Sequence, residues 1–131
     1  MRALLATLTA FILFAATPVV AGDFEDGMVA YEAGDHKKAF RLWKPFAERG
    51  VAEVQYNLGQ IYNEGKGVLV DKAKALHWYS KAGEQGHAKA QQVLGVMYRF
   101  GFGVPKDDAK AAYWYRKAAE PSISTSQYKY L

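Results

Sequence analysis

The chain has 131 residues, half of them apolar, a formal net charge of +4 and no cysteine. The missing cysteine excludes disulfides, a zinc–thiolate centre, a thiol nucleophile and a lipid-modified amino-terminal Cys, so packing alone must hold the core. The charge is too small to imply a nucleic-acid partner.

The first 21 residues read as a targeting segment. Arg2 precedes an apolar run from Ala3 to Ala16, broken only by Thr7 and Thr9. Thr17-Pro18 ends the run, and Val19-Val20-Ala21 puts small residues where a signal peptidase inspects the chain. Fourteen residues from Ala3 to Ala16 suit a signal-peptide core and are short for a bilayer span. The expectation is export to a periplasmic or secreted location, with cleavage after Ala21; the alternative is a retained anchor. Cleavage leaves 110 residues (131 − 21) and, with Arg2 the only charge removed, a net charge of +3. No second apolar stretch approaches spanning length, so no stable membrane insertion is expected after cleavage.

Beyond residue 21 the chain is built from one repeated unit. Moving residues 51–84 forward by 36 positions aligns them with 87–120, and 17 of the 34 pairs are identical. A fixed period of this size marks a solenoid, in which each unit buries its apolar face against the next. The domains expected are a short first unit over 22–50, full units over 51–86 and 87–121, and a tail over 122–131.

In the first unit, Lys38-Ala39 aligns with Lys74-Ala75, and Gly50 with Gly86, at the same offset of 36. Tyr31-Glu32-Ala33-Gly34 matches Tyr62-Asn63-Glu64-Gly65 at an offset of 31. Five loop residues are therefore missing, and Asp35 is expected to cap the second helix directly after Gly34. Pro45 falls inside that helix and is expected to kink it near Arg41.

The second unit reads as helix, glycine loop, helix. Ala52, Gln55, Leu58, Gly59 and Tyr62 fall at the i, i+3, i+4, i+7 spacing of one buried face. Gly65-Lys66-Gly67 ends the helix, since glycine takes positive φ freely. Asp71 suits the N-cap of a second helix that presents Lys72, Ala75, Leu76, Tyr79 and Ala82 and closes at Gly86. The third unit repeats the plan with Gly101-Phe102-Gly103, Asp107 as cap and Pro121 as stop. Gly59 and Gly95 inside helices cost about 1 kcal/mol each relative to alanine. That cost makes sense if a neighbouring helix carrying Trp78 or Trp114 passes too close for a side chain. The tail after Pro121 is polar through Gln127 and then turns to Tyr128, Tyr130 and Leu131. It is expected either to cap the last unit or to remain a disordered terminus; a face left open would instead pair with a second copy, and the oligomeric state stays open.

No residue pattern points to chemistry. Ser80 is the one serine between residue 22 and the tail, and the other copy has Arg116 in its place; it has no triad signature. His36, His77 and His87 show no i, i+4 pair and no His-Glu-x-x-His run, so each reads as a surface or capping residue. Gly65-Lys66 resembles a phosphate loop only superficially, because Gly67 stands where Ser or Thr should hold magnesium and no strand precedes it. Asp71 and Asp107-Asp108 read as helix-start carboxylates. Trp78-Tyr79 and Trp114-Tyr115, at helical spacing among alanines, read as core rather than as ligand platforms. No catalytic residue, metal ligand or cofactor is assigned.

Both full units carry the pattern Leu-Gly-x-x-Tyr-x-x-Gly-x-Gly-Val-x-x-Asp-x-x-Lys-Ala-x-x-Trp-Tyr-x-Lys-Ala, from Leu58 to Ala82 and from Leu94 to Ala118. This resembles the Sel-one-like repeat, a relative of the tetratricopeptide repeat. The resemblance implies an all-α solenoid of about three antiparallel helix pairs. It also implies a non-enzymatic adaptor, scaffold or effector neutraliser that binds a protein or peptide. In such folds the first helix of each pair lines the concave side. The resemblance then places Glu53, Tyr56, Asn57, Gln60 and Asn63 on that face in the second unit, and Lys89, Gln92, Val93, Val96 and Arg99 in the third. These are the positions where the two copies disagree most: a fold dictates repetition, whereas a ligand does not. Asn57, Gln60 and Gln92 have amides suited to the backbone of an extended peptide, and Lys89 and Arg99 suit a carboxylate. The competing function is a binding protein or hydrolase for cell-wall fragments of the peptidoglycan or β-lactam type, as in exported cysteine-rich relatives. This chain lacks the cysteines that define that branch.

Overall fold

The computed structural model describes residues 22–120; residues 1–21, Pro121 and the tail with Tyr128, Tyr130 and Leu131 lie outside them. The described residues form α1 (Gly22–Glu32), α2 (His36–Glu48), α3 (Ala52–Glu64), α4 (Lys72–Glu84), α5 (Ala88–Phe100) and α6 (Asp108–Ala119). Each helix packs on the next in sequence, giving an all-α solenoid of three helix pairs. Successive helices are antiparallel: Gln55 near the start of α3 meets Gln85 at the end of α4, and Gln91 near the start of α5 meets Gly83. It follows that α3 and α5 run in the same direction.

The helix boundaries come from caps that repeat in register. Asp35, Asp71 and Asp107 accept bonds from the amides of Lys38, Lys74 and Lys110 at 3.2, 2.9 and 3.0 Å. Each bond satisfies one of the amides that a helix start leaves open. Asp35 caps α2 directly after the short Gly34 turn, as the missing loop residues require. At the other ends, Gly65 and Gly101 adopt φ of +69° and +70° and return their amides to Ile61 and Met97. A side chain is strained in this left-handed region.

Two clusters form the core. The first joins Ala39, Trp43, Ala47, Val54, Leu58 and Ile61; the second joins Ala75, Tyr79, Leu94 and Met97. The buried stripe of α3 is Val54, Gln55, Leu58, Gly59 and Ile61, while Ala52 and Tyr62 are only half-buried. On α4, Ala75, Tyr79 and Ala82 are buried, whereas Leu76 is half-buried and Lys72 is exposed.

The close approach at the helix glycines involves tyrosine, which corrects the expectation of tryptophan. A Cβ on Gly59 would lie 2.5 Å from the Tyr79 ring, and one on Gly95 would lie 2.7 Å from the Tyr115 ring. Trp78 and Trp114 are half-buried and pack at the edges of the two clusters, so each aromatic pair splits its duties. Tyr79 and Tyr115 occupy the glycine notches, and the tryptophans cover adjacent apolar surface. In the first unit Trp43 stands 36 positions before Tyr79. It is the largest fully buried side chain, fills the notch at Gly27, and donates its Nε1–H to the carbonyl of Phe24 at 3.2 Å.

Candidate functional site

A groove of about 740 Å³ opens between α3 and α5. Its α3 side carries Tyr56 and Asn63, and its α5 side carries Lys89, Gln92, Val93, Val96 and Met97. Lys72 from the start of α4 and Phe102 from the third glycine loop close the end where α3 and α5 finish. Met97 is buried beneath the groove, Val96 is 38% exposed, and Phe102 stands out at 55%.

Six of the ten residues expected on this face, Tyr56, Asn63, Lys89, Gln92, Val93 and Val96, line the groove together. The other four lie elsewhere. Glu53 and Asn57 turn toward a smaller hollow of about 200 Å³, shared with Phe24, Met28, Tyr31 and Trp43. The Gln60 amide is engaged within its own helix, donating to the Tyr56 hydroxyl at 3.1 Å. Arg99 lies over the ring of Phe100, outside the groove lining.

Three wall residues, Lys72, Met97 and Phe102, were not expected. Phe102 and Lys72 occupy positions at which the copies differ, Lys66/Phe102 and Lys72/Asp108. The difference between the copies therefore extends to them, although neither lies on the first helix of a unit. The contrast at Lys66 is physical. Its ammonium pairs with Glu64 at 2.8 Å and donates to the Tyr31 hydroxyl at 2.9 Å. Those two bonds hold its pKa above the ordinary lysine value. Phe102, at the same place one unit later, stacks instead on Phe100 with centroids 5.7 Å apart.

Tyr56 is held by three neighbours. His87 stacks on its ring with centroids 4.8 Å apart, Tyr79 packs at 5.8 Å, and Gln60 bonds its hydroxyl. Burial, followed by the nearby Glu53 carboxylate, pushes the Tyr56 phenol above its ordinary pKa, so it stays neutral. His87 itself joins two units. Its Nδ1 accepts the Ala90 amide at 3.2 Å as the N-cap of α5. A capping Nδ1 carries no proton, so the ring's N–H is at Nε2, which donates to Glu53 Oε2 at 2.7 Å. This gives His87 the capping role expected of it.

Among the described residues, no three or more His, Asp or Glu side chains gather in a way that could hold a metal ion. Among the same residues, no helix is long and apolar enough to cross a membrane.

Comparisons with known proteins agree with this architecture. The family model for the Sel1 repeat matches residues 24–51, 52–87 and 88–120. The chain is similar to a crystal structure of a Sel1 repeat protein from Oxalobacter formigenes, at 32% identity and a TM-score of 0.70, covering 74% of this chain and 77% of that one. It is also similar to c5321, a protective antigen present in uropathogenic Escherichia coli strains and displaying an SLR fold. Here the identity is 38% and the TM-score 0.70, over 79% of this chain but only 23% of that longer protein. A search of curated proteins gives no match. Sel1 repeat proteins generally mediate protein–protein interaction. With all three helix pairs matched in sequence, the chain belongs to the Sel1 repeat family.

Proposed function

We propose that this chain is an exported, non-enzymatic interaction module of the bacterial cell envelope. It holds a segment of a partner protein in the groove between α3 and α5, as an adaptor, a scaffold or a neutraliser of an effector. One observation carries this reading: the groove's walls come from positions at which the two full units differ, while the framework beneath them repeats. Tyr56, Asn63, Gln92, Val93 and Val96 line the groove, and each has a different residue type 36 positions away. Caps, notch glycines and core residues such as Leu58/Leu94 keep their identity. The open and mostly apolar form of the groove suits a chain segment rather than a small polar substrate.

In-cell photo-cross-linking tests the reading. A photoreactive residue at exposed Gln92 is expected to capture one defined protein, and the same residue at exposed Lys81 on α4 is not. Val96→Asp should abolish the capture, because it places an unpaired charge against the apolar wall. Equal capture from both positions, or capture unaffected by Val96→Asp, would place the partner elsewhere and remove this function from the groove.

A further inference from the structure

The charges and the floor of the groove define its occupant more narrowly than the family does. We infer that the groove takes an extended protein segment bearing two acidic side chains about three to five residues apart, with apolar side chains between them. This rests on the reading above that the groove holds part of a partner protein.

Among the described residues, the charged side chains lining the groove are Lys72 and Lys89. They sit at opposite ends: Lys89 belongs to the first turn of α5, whereas Lys72 is tied to Asn63 near the end of α3. Along parallel α3 and α5 this separation is roughly 10–16 Å at 1.5 Å per residue. An extended chain covers that span in about three to five residues at roughly 3.3 Å each. Between the cations the wall is Val93, Val96 and Met97 with Tyr56 and Gln92, and Phe102 stands beside Lys72 at the closed end.

Both cations are placed without being neutralised. The Lys72 ammonium donates to the carbonyl and the side-chain oxygen of Asn63 at 2.9 and 2.8 Å. Both acceptors are uncharged, and a third N–H remains for a ligand. Lys89 is exposed and has no bonding partner among the described residues. The Glu53 carboxylate bonds His87 and the Glu64 carboxylate bonds Lys66, and neither glutamate lines the groove. A nucleic-acid strand would find the Tyr56 and Phe102 rings but only two cations, where such strands need a charged track along the backbone. An acidic and apolar segment satisfies both features at once.

The test is panning of displayed random linear peptides of about 12 residues on the full chain, followed by fluorescence anisotropy with the enriched peptide. The expected consensus has two Asp or Glu flanking apolar residues at the stated spacing. Lys89→Glu should weaken that peptide by about 10-fold or more, and Lys89→Arg should leave it within about 2-fold. Lys72→Met, which keeps the stem packed on Gly103 and removes the charge, should weaken it by about 5–10-fold. Unchanged thermal melting of Lys89→Glu confirms that the fold is intact. Enriched peptides without acidic residues, lost on Val96→Asp, would overturn the charge assignment yet keep the groove as the protein-binding site. Peptides indifferent to Val96→Asp and Lys89→Glu would overturn both readings. Failure to enrich any peptide, or tighter binding of a single-stranded oligonucleotide or an anionic vesicle, would overturn the occupant proposed.

Discussion

The side-chain amide of Gln55 donates to the carbonyl oxygen of Ala47 across 2.9 Å, and Gln91 repeats the bond to Gly83 at the same distance. Both glutamines are 3% exposed. Each ties the first helix of one unit to the last turn of the unit before it, where a helix end leaves carbonyls open. Gln91→Leu keeps the bulk and removes the donor, so it should cost about 1–3 kcal/mol in urea unfolding. Stability equal to the parent would mean that the Gly86 amide, which also reaches Gly83, suffices by itself.

The repeated framework was legible in the sequence because the same residues solve the same problem twice. Asp71 and Asp107, with the loop glycines, announce helix ends through local backbone chemistry that needs no tertiary context. The first unit was legible through its offset, Lys38-Ala39 against Lys74-Ala75, and its missing loop residues. Two neighbouring aromatics, however, lie only about 100° apart around a helix. Periodicity therefore did not decide whether Trp78 or Tyr79 enters the notch at Gly59, and the tertiary contact chose tyrosine. The groove was half legible. Tyr56, Gln92 and Val96 stood out as differences between copies, whereas Lys72 and Phe102 reach the groove from a loop and another helix, which first-helix periodicity does not track.

The notch glycines should respond unequally to a methyl group. Alanine gains about 1 kcal/mol of helix propensity, while overpacking costs about 1–3 kcal/mol. Tyr79 is fully buried and has nowhere to move, so Gly59→Ala should lose stability by about 1–2 kcal/mol net. Tyr115 is half-buried and can shift outward, so Gly95→Ala should lie within about 1 kcal/mol of the parent. Thermal unfolding of the two variants compares them directly. A larger loss at Gly95 would show that α6 holds Tyr115 more firmly than its exposure implies.

Alkaline pH should destabilise the chain through Tyr79. Burial raises the phenol well above its ordinary value of 10.0, with the Tyr56 and Glu64 charges adding to the effect. In the unfolded chain the phenol ionises near pH 10, while the folded chain still holds the proton. The contribution is complete below that pH and is lost progressively as pH climbs from there toward the folded value. Denaturant midpoints should therefore fall more steeply above pH 10 for the parent than for Tyr79→Phe. Parallel curves would assign the alkaline loss to other groups, the raised Lys66 among them.

Export is testable independently of the fold. The Arg2 start, the apolar run and Val19-Val20-Ala21 predict a mature amino terminus at Gly22, the first residue of α1. The intact mass of protein recovered from the exported fraction should correspond to residues 22–131. A mass that retains residues 1–21 would contradict cleavage and favour an anchored chain.

His87 separates stability from recognition, because its two ring nitrogens do different work. Nδ1 caps α5, and Nε2–H binds Glu53 while the ring props Tyr56 at the groove. His87→Ala should lose the cap and cost about 1–2 kcal/mol. His87→Asn supplies a capping oxygen to the same amide, so it should recover most of that stability. It has neither a second nitrogen at the reach of Glu53 nor a ring to stack on Tyr56. Both variants should therefore bind a groove-directed peptide more weakly, by a similar factor, although only His87→Ala melts early. Full binding by His87→Asn would show that Gln60 and Tyr79 alone fix the Tyr56 ring, leaving His87 a purely structural cap.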